Sequence, residues 1–163
     1  MPVRVQHEDF DLSTELARLR AGHPDAGATV AFVGTVREMN EGGKVSLMEL
    51  EHYPGMTEAA LEDIVGQARR RWALIDVLVV HRVGPLRACE QIVLAAVAAR
   101  HRGDAFAACE FVMDYLKTRA PFWKKESTDQ GARWVDARDA DETALARWSA
   151  AAPDCALPVS CRP

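Results

Sequence analysis

Ile75-Asp-Val-Leu-Val-Val-His-Arg-Val83, then Gln91-Ile-Val-Leu-Ala-Ala-Val-Ala-Ala99, then a helical stretch to Arg119 decide the fold class. Each apolar run is short, continuous and bounded by turn residues, which is how a strand with buried faces reads. Gly84-Pro85 supplies the turn between them. Asp104, after Arg100-His-Arg-Gly103, is expected as the N-cap of the helix. Phe106, Cys109, Val112, Met113 and Leu116 make its expected inward face. Pro121 ends it, because the residue before a proline avoids the helical region.

Working towards the N-terminus, Thr57 is expected to cap a helix whose apolar positions are Leu61, Ile64, Val65, Ala68 and Trp72. Before it, Lys44–Tyr53 alternates polar and apolar residues, and Ala28–Val36 reads as a buried strand. Antiparallel pairing of these two strands across the polar loop 37–43 is the simplest geometry. Val3 and Val5 suggest a short first strand. A helix follows, capped by Asp11 or Ser13, striped by Leu12, Leu16 and Leu19, and stopped at Gly22. Towards the C-terminus come two extended pieces around Trp123 and Trp134, then a last helix near Glu142–Ala151. The expected architecture is one α+β domain over 1–151, mostly antiparallel, with a mobile tail over 152–163.

Composition sets the outer limits. The chain has 163 residues, and one core of ordinary size suits that length. It is 48% hydrophobic and 27% charged, which argues against disorder. Lys and Arg number 20 against 24 Asp and Glu, a net of −4. A general nucleic-acid coat is disfavoured, since phosphate-driven binding shows as a basic excess. No apolar run approaches the roughly 20 residues of a membrane span. Charges interrupt the first nine residues before any apolar stretch forms, so a signal peptide is not expected and the cytoplasm is the expected compartment. Cys89, Cys109, Cys155 and Cys161 form no C-x-x-C pair, and free thiols are expected.

Against this acidic background, Lys117-Thr-Arg-Ala-Pro-Phe-Trp-Lys-Lys125 holds four cations and no acid. Such an island repels itself unless an anion or water relieves it. It straddles a helix end and a proline turn, where side chains of both segments converge. Cations also suit the negative end of a helix dipole, so a solvated terminus explains the same residues. Arg100-His101-Arg102-Gly103 is a second cationic group, at a helix N-terminus where free N–H groups favour an anion. Solvated arginines around a cap are the plainer reading there. Arg37 is a third cation at a strand end, and His52 a possible proton carrier. His81-Arg82, inside a strand, reads as structural. Some 13 residues separate Asp104 from Lys117, about 20 Å of helix. The two cationic groups of one chain therefore should not share a ligand, and a two-fold dimer is the economical way to unite them.

Gly34-Thr-Val-Arg37, Leu50-Glu-His-Tyr-Pro-Gly-Met56, His81-Arg-Val-Gly84, His101-Arg102 and Met113-Asp-Tyr-Leu-Lys-Thr-Arg-Ala-Pro-Phe-Trp-Lys-Lys-Glu126 resemble the large, catalytic subunit of molybdopterin synthase. Arg133-Trp-Val-Asp-Ala-Arg138 continues the likeness, which spans about Ala28 to Arg138. The resemblance implies an α/β hammerhead-type fold with additional antiparallel strands. It implies a sulfurtransferase that converts cyclic pyranopterin monophosphate to molybdopterin. The sulfur arrives on the C-terminal Gly-Gly thiocarboxylate of a small ubiquitin-like partner subunit. Two large subunits form a central homodimer with one small subunit at each end, a heterotetramer. Lys117 and Lys124 match the reacting centre. Arg37, His101, Arg102 and Arg138 match residues that bind the pterin phosphate or its surroundings, some across the dimer, while Phe32 and Met113 would line the pocket. The family often has Gly where Cys89 stands. Gly permits a positive φ that Cys tolerates poorly, so a local difference in this turn is expected.

The residues themselves suit that chemistry. A phosphate ester and a thiocarboxylate are both anions, and their meeting place needs several cations. A lysine packed among cations loses its proton more readily, and the expectation is that Lys117 would then act as a base or attack the thiocarboxylate carbonyl. Lys124 holds the phosphate or a developing oxyanion. No residue of the pattern calls for a metal or other cofactor. The rival reading is a module binding single-stranded nucleic acid or another anionic ligand through the Lys117–Lys125 segment, with Phe122-Trp123 stacking a base. It requires salt-sensitive affinity weakened by Trp123→Ala, and filter binding at two salt concentrations is expected to show neither.

Overall fold

The computed structural model describes residues 2–40, 43–129, 131–135 and 139–149. Its organising strand is β7 (Gln91–Ala99), buried along nearly its whole length. β7 pairs antiparallel with β5 (Leu74–Arg82) on one side and with β2 (Ala28–Thr35) on the other. β1 (Val3–Gln6) adds to β5 in parallel, giving the order β1-β5-β7-β2. α2 (Met56–Arg71) and α3 (Arg102–Arg119) cover the face that carries Val77, Val79, Val93, Ala95 and Val97. α1 (Leu12–Arg20) covers the other, with Leu19 packed on Leu78, Val80, Leu94, Ala96 and Ala98. Two covered faces explain why β5 and β7 read as continuous apolar runs rather than alternating ones.

A second sheet has the order β3-β4-β8-β9, built from β3 (Met39–Asn40), β4 (Gly43–His52), β8 (Phe122–Thr128) and β9 (Gly131–Val135). β6 (Gly84–Leu86) pairs with β4 as well. Val36, Val45, Met48, Leu50 and Leu86 form its small core. Inside it, Glu126 is only 1% exposed and is held by the Arg133 guanidinium at 3.2 Å. α4 (Asp139–Ala146) leads to Trp148, which packs edge-on against Trp72 and Phe111 at 5.8 and 5.4 Å. Each such aromatic pair adds about 0.5–1.5 kcal/mol beyond its buried area. Among the described residues the architecture is α+β, and no helix is long and apolar enough to cross a membrane.

Several expectations need correction. β2 and β4 do not form a hairpin: β2 lies against β7 and β4 against β8, in different sheets. β2 is apolar on both sides and gains more by extending a sheet that helices cover on two faces, whereas β4 buries alternate residues only. β2 is also less buried than expected, because it is an edge strand, and Phe32 is 39% exposed. Gly84-Pro85 is not a bare turn but the start of β6. The α2 N-cap is Gly55, not Thr57, and the α3 N-cap is His101, not Asp104. Phe106 faces outward, 63% exposed. At 3.6 residues per turn it sits about 120° round the helix from Val112, just beyond the arc that the sheet covers. Fully buried Phe111 takes the core role instead. The last helix begins at Asp139 and ends at Ala146, earlier than expected. Arg138 and the tail 152–163 lie outside the described residues.

The turn at Cys89 keeps the backbone that glycine favours. Cys89 has φ 71°, while its N–H donates to Val36 O at 2.8 Å. The Arg87 N–H donates to the Glu90 carboxylate at 2.6 Å, closing the same turn. A left-handed conformation costs a side-chain-bearing residue roughly 1–2 kcal/mol. Cys89→Gly is expected to raise the melting temperature by about 2–4 °C, since glycine's larger unfolded-state entropy offsets only part of that strain. An unchanged or lowered value in differential scanning calorimetry would refute it.

Candidate active site

The chain reverses at His101, so α3 runs back along β7 towards Gln91. The Cys109 thiol reaches Ala95 O at 3.7 Å, and Phe122, just past the helix, stacks on His81, the register partner of Val93. The C-terminus of α3 therefore ends where β5 and β2 also end. Arg37 belongs to this same end. Its neighbour Val36 donates to Glu90 O at 2.9 Å, beside the start of β7. His101 and Arg102 lie at the opposite end of an 18-residue helix, about 27 Å away.

Helical geometry also decides which way Lys117 faces. Cys109, Met113 and Lys117 are successive i, i+4 positions on the flank of α3 that overhangs β2. Phe32, opposite Ala95 in β2, lies beneath that flank. Met113 is buried in the main core, whereas Lys117 is exposed in the last turn. Lys124 is a half-buried residue of β8, opposite Leu50 of β4 and Val135 of β9. Arg37, Lys117, Lys124, Phe32 and Met113 thus gather at one end and flank of the molecule. His101 and Arg102 do not join them within one chain.

Beneath Lys124 sits a histidine held neutral. His81 is 3% exposed, stacks on Phe122 with centroids 3.8 Å apart, and bonds through Nδ1 to Arg82 O at 2.8 Å. Burial pulls its pKa down from 6.5 to about 4, the Arg82 carbonyl opposes that shift, and the nearby Lys124 and His52 add to it. Arg82 is itself anchored, donating to His7 O and Gln91 O at 3.1 and 3.0 Å. His52, at the end of β4, lies 3.6 Å from the Glu58 carboxylate. A cavity of about 290 Å³ opens here, lined in part by His7, His52, Val83 and Gly84. A larger one, about 530 Å³, lies at the β1 edge among Arg4, Glu15, Arg69 and Asp76, and holds none of the expected site residues. Cys109 is a structural thiol: burial pushes its pKa up to about 11.

This grouping of cations around a helix end can be set against known proteins. Residues 5–119 match the family model described as MoaE protein. The chain belongs to the MoaE family. Among curated relatives, the molybdopterin synthase catalytic subunit of Ralstonia nicotianae is 68% identical over 90% of this chain and 83% of its own length. A solved MoaE protein of molybdopterin biosynthesis from Burkholderia ambifaria is 62% identical, with a TM-score of 0.79, covering 90% of this chain and 97% of the other. A solved molybdopterin synthase from Staphylococcus aureus is 32% identical, with a TM-score of 0.78, covering 83% and 98%. The MoaE fold is therefore the fold of this chain.

Sequence reasoning did not single out Phe122 as the ring that stacks on His81, or the Thr57 hydroxyl as a buried donor. Neither leaves a signature in spacing, because each meets a partner distant in sequence. His81 gives the site a measurable pH signature. The unfolded chain binds a proton on this imidazole between pH 6.5 and about 4, where the folded chain does not. Its contribution is complete above pH 6.5 and is lost as the pH falls towards 4, on the order of 3 kcal/mol in all. Urea midpoints are expected to drop between pH 7 and 5, and His81→Phe, which keeps a stacked ring, to flatten that slope. An identical slope in the variant would count against it.

Proposed function

We propose that this chain is the catalytic subunit of a molybdopterin synthase, a sulfurtransferase that converts cyclic pyranopterin monophosphate to molybdopterin. The reading is carried by Lys117 and Lys124, brought to one end of the molecule on either side of the Pro121 turn in a chain 68% identical to such a subunit. A catalytic subunit implies a companion, and the sulfur donor is the C-terminal thiocarboxylate of a small ubiquitin-like subunit. Lys117 supplies the reacting amine, either as a base or as a nucleophile at the thiocarboxylate carbonyl, where the amide forms as the C–S bond breaks and the sulfur leaves as hydrosulfide for the pterin. Lys124 and Arg37 hold the phosphate and the charge that develops on oxygen. Phe32 and Met113 supply the apolar wall. Cys89 and Cys109 are free thiols, which suits a reducing, cytoplasmic setting.

The length of α3 extends the proposal to a homodimer. His101 and Arg102 are too far from Lys117 to serve the same anion in one chain, so each site draws them from the second copy. The sheet edge at β2 and the flank of α3 above it leave the lysine end open to such a neighbour.

One experiment tests both claims. Lys117→Ala and Arg102→Ala are each expected to abolish molybdopterin formation while still binding the small subunit. Mixed and allowed to exchange, the two variants are expected to recover about a quarter of normal activity, because half the dimers are mixed and each holds one intact site. Normal turnover by Lys117→Ala would falsify its role, and no recovery on mixing would place both cationic groups in one chain. An amide adduct between Lys117 and the partner's terminal glycine, seen by mass spectrometry, distinguishes nucleophile from base.

A further inference from the structure

In the segment joining the two lysines, only Ala120 and Pro121, between α3 and β8, lie outside helix or strand. α3 ends at Arg119, and the Ala120 N–H closes the last helical turn on Leu116 O at 3.3 Å. The Phe122 N–H then reaches back to Ala120 O at 2.9 Å, a three-residue turn centred on Pro121. Lys117 lies four residues before that turn's centre and Lys124 three residues after it. Packing on β7 fixes α3, and pairing with β4 and β9 fixes β8. The relation between the two lysines is therefore set by how the helix end is tied to the second sheet.

Thr57 makes that tie. Its side chain is fully buried, which is unusual for a threonine in the first turn of a helix. Its Oγ1 accepts the Tyr53 N–H at 3.0 Å and donates to Pro121 O at 3.1 Å. Because the Tyr53 N–H can only donate and the Pro121 carbonyl can only accept, the hydroxyl proton is committed to Pro121. Tyr53 directly follows β4, the strand that carries Leu50 opposite Lys124. One hydroxyl thus joins the end of β4 to the carbonyl at which α3 hands over to β8. The stack of Phe122 on His81 holds the next residue sideways, but a ring contact resists tilting less than a directed hydrogen bond does. Three residues of strand span about 10 Å, so a 10° tilt of the second sheet about Pro121, carrying β8 with it, would move Lys124 by nearly 2 Å relative to Lys117. Misplacements of about 1 Å are enough to cost a hundredfold in rate.

We propose that Thr57 is a positioning residue for sulfur transfer: its buried hydroxyl, shared between Tyr53 and Pro121, sets the spacing and orientation of Lys117 and Lys124. The inference rests on the assignment of those lysines made above. In the complex with the thiocarboxylated small subunit, Thr57→Val keeps the volume and removes the donor. It is expected to lower kcat roughly 10–100-fold while changing KM for the pterin less than about threefold. Thr57→Ser, which keeps the hydroxyl, is expected to recover most of the rate. Wild-type kcat in Thr57→Val, or a Thr57→Ser as slow as Thr57→Val, would overturn the proposal. Should Thr57→Val fail to fold, Thr57→Cys, a poor donor of similar size, takes its place with the same expectations. A second readout needs no turnover: the yield of a short amine-to-amine cross-link between Lys117 and Lys124, measured by mass spectrometry. That yield is expected to change at least threefold in Thr57→Val and return in Thr57→Ser. An unchanged yield overturns the positioning role, whereas a wild-type complex that forms no molybdopterin removes the sulfurtransferase reading and leaves the cross-link to decide the geometry.

Discussion

Everything in this molecule is arranged around a strand that must be buried on both sides. β7 presents Val93, Ala95 and Val97 to α2 and α3, and Leu94, Ala96 and Ala98 to the layer closed by α1. On the α3 side Ala95 matters most. Its small side chain lets α3, with its own buried Ala105 and Ala108, approach until the Cys109 thiol reaches the Ala95 carbonyl. A helix set that close to a sheet has little freedom to slide or tilt, because packed interiors are nearly as dense as organic crystals. The direction of α3, and with it the place where Lys117 emerges, follows from this contact.

The candidate site belongs to neither sheet. One lysine stands at the end of a helix lying on the first sheet, and the other is on a strand of the second. Arg37 follows the edge strand of the first on its way to the second. Sites built where layers meet let opposite elements bring charges together without burying them in either core. They also need struts between the layers. Here the struts are the Tyr53–Thr57–Pro121 hydrogen bonds, the stack of Phe122 on neutral His81, and the ties of Arg82 to the N-terminal segment and β7. Buried polar groups are retained in such places because each has its partner.

The helix length gives the assembly its logic. A cationic group at each end of an 18-residue helix cannot converge on one small anion. In the homodimer proposed above, a two-fold axis would bring unlike ends together, which no rearrangement of a single chain could do.

Much of this was legible in residue order. The runs at Ile75–Val83 and Gln91–Ala99, the stripe of α2 and the stop at Pro121 follow from local periodicity and backbone sterics. The Lys117–Glu126 block carried the family and, with it, the candidate lysines, because so many unusual residues recur there in order. Other features were not legible. The Ala28–Val36 strand could have paired with its neighbour in sequence, and only the area that β7 offered under two helix-covered faces drew it away. Phe106 and Phe111 are equally apolar, and which one enters the core depends on where the sheet ends beneath the helix. Cys89 holds a left-handed turn because the hydrogen bonds to Val36 and Glu90 demand it, against the preference of its own side chain. Thr57 looked like a cap, yet its hydroxyl serves a carbonyl 64 residues away. The sequence by itself determined which segments are helix or strand and which residue types the chemistry needs, since both are properties of neighbours along the chain. Tertiary structure alone decided which strands meet, which aromatic is buried and how two lysines are held in register, since those depend on competition among partners that lie far apart until the chain folds.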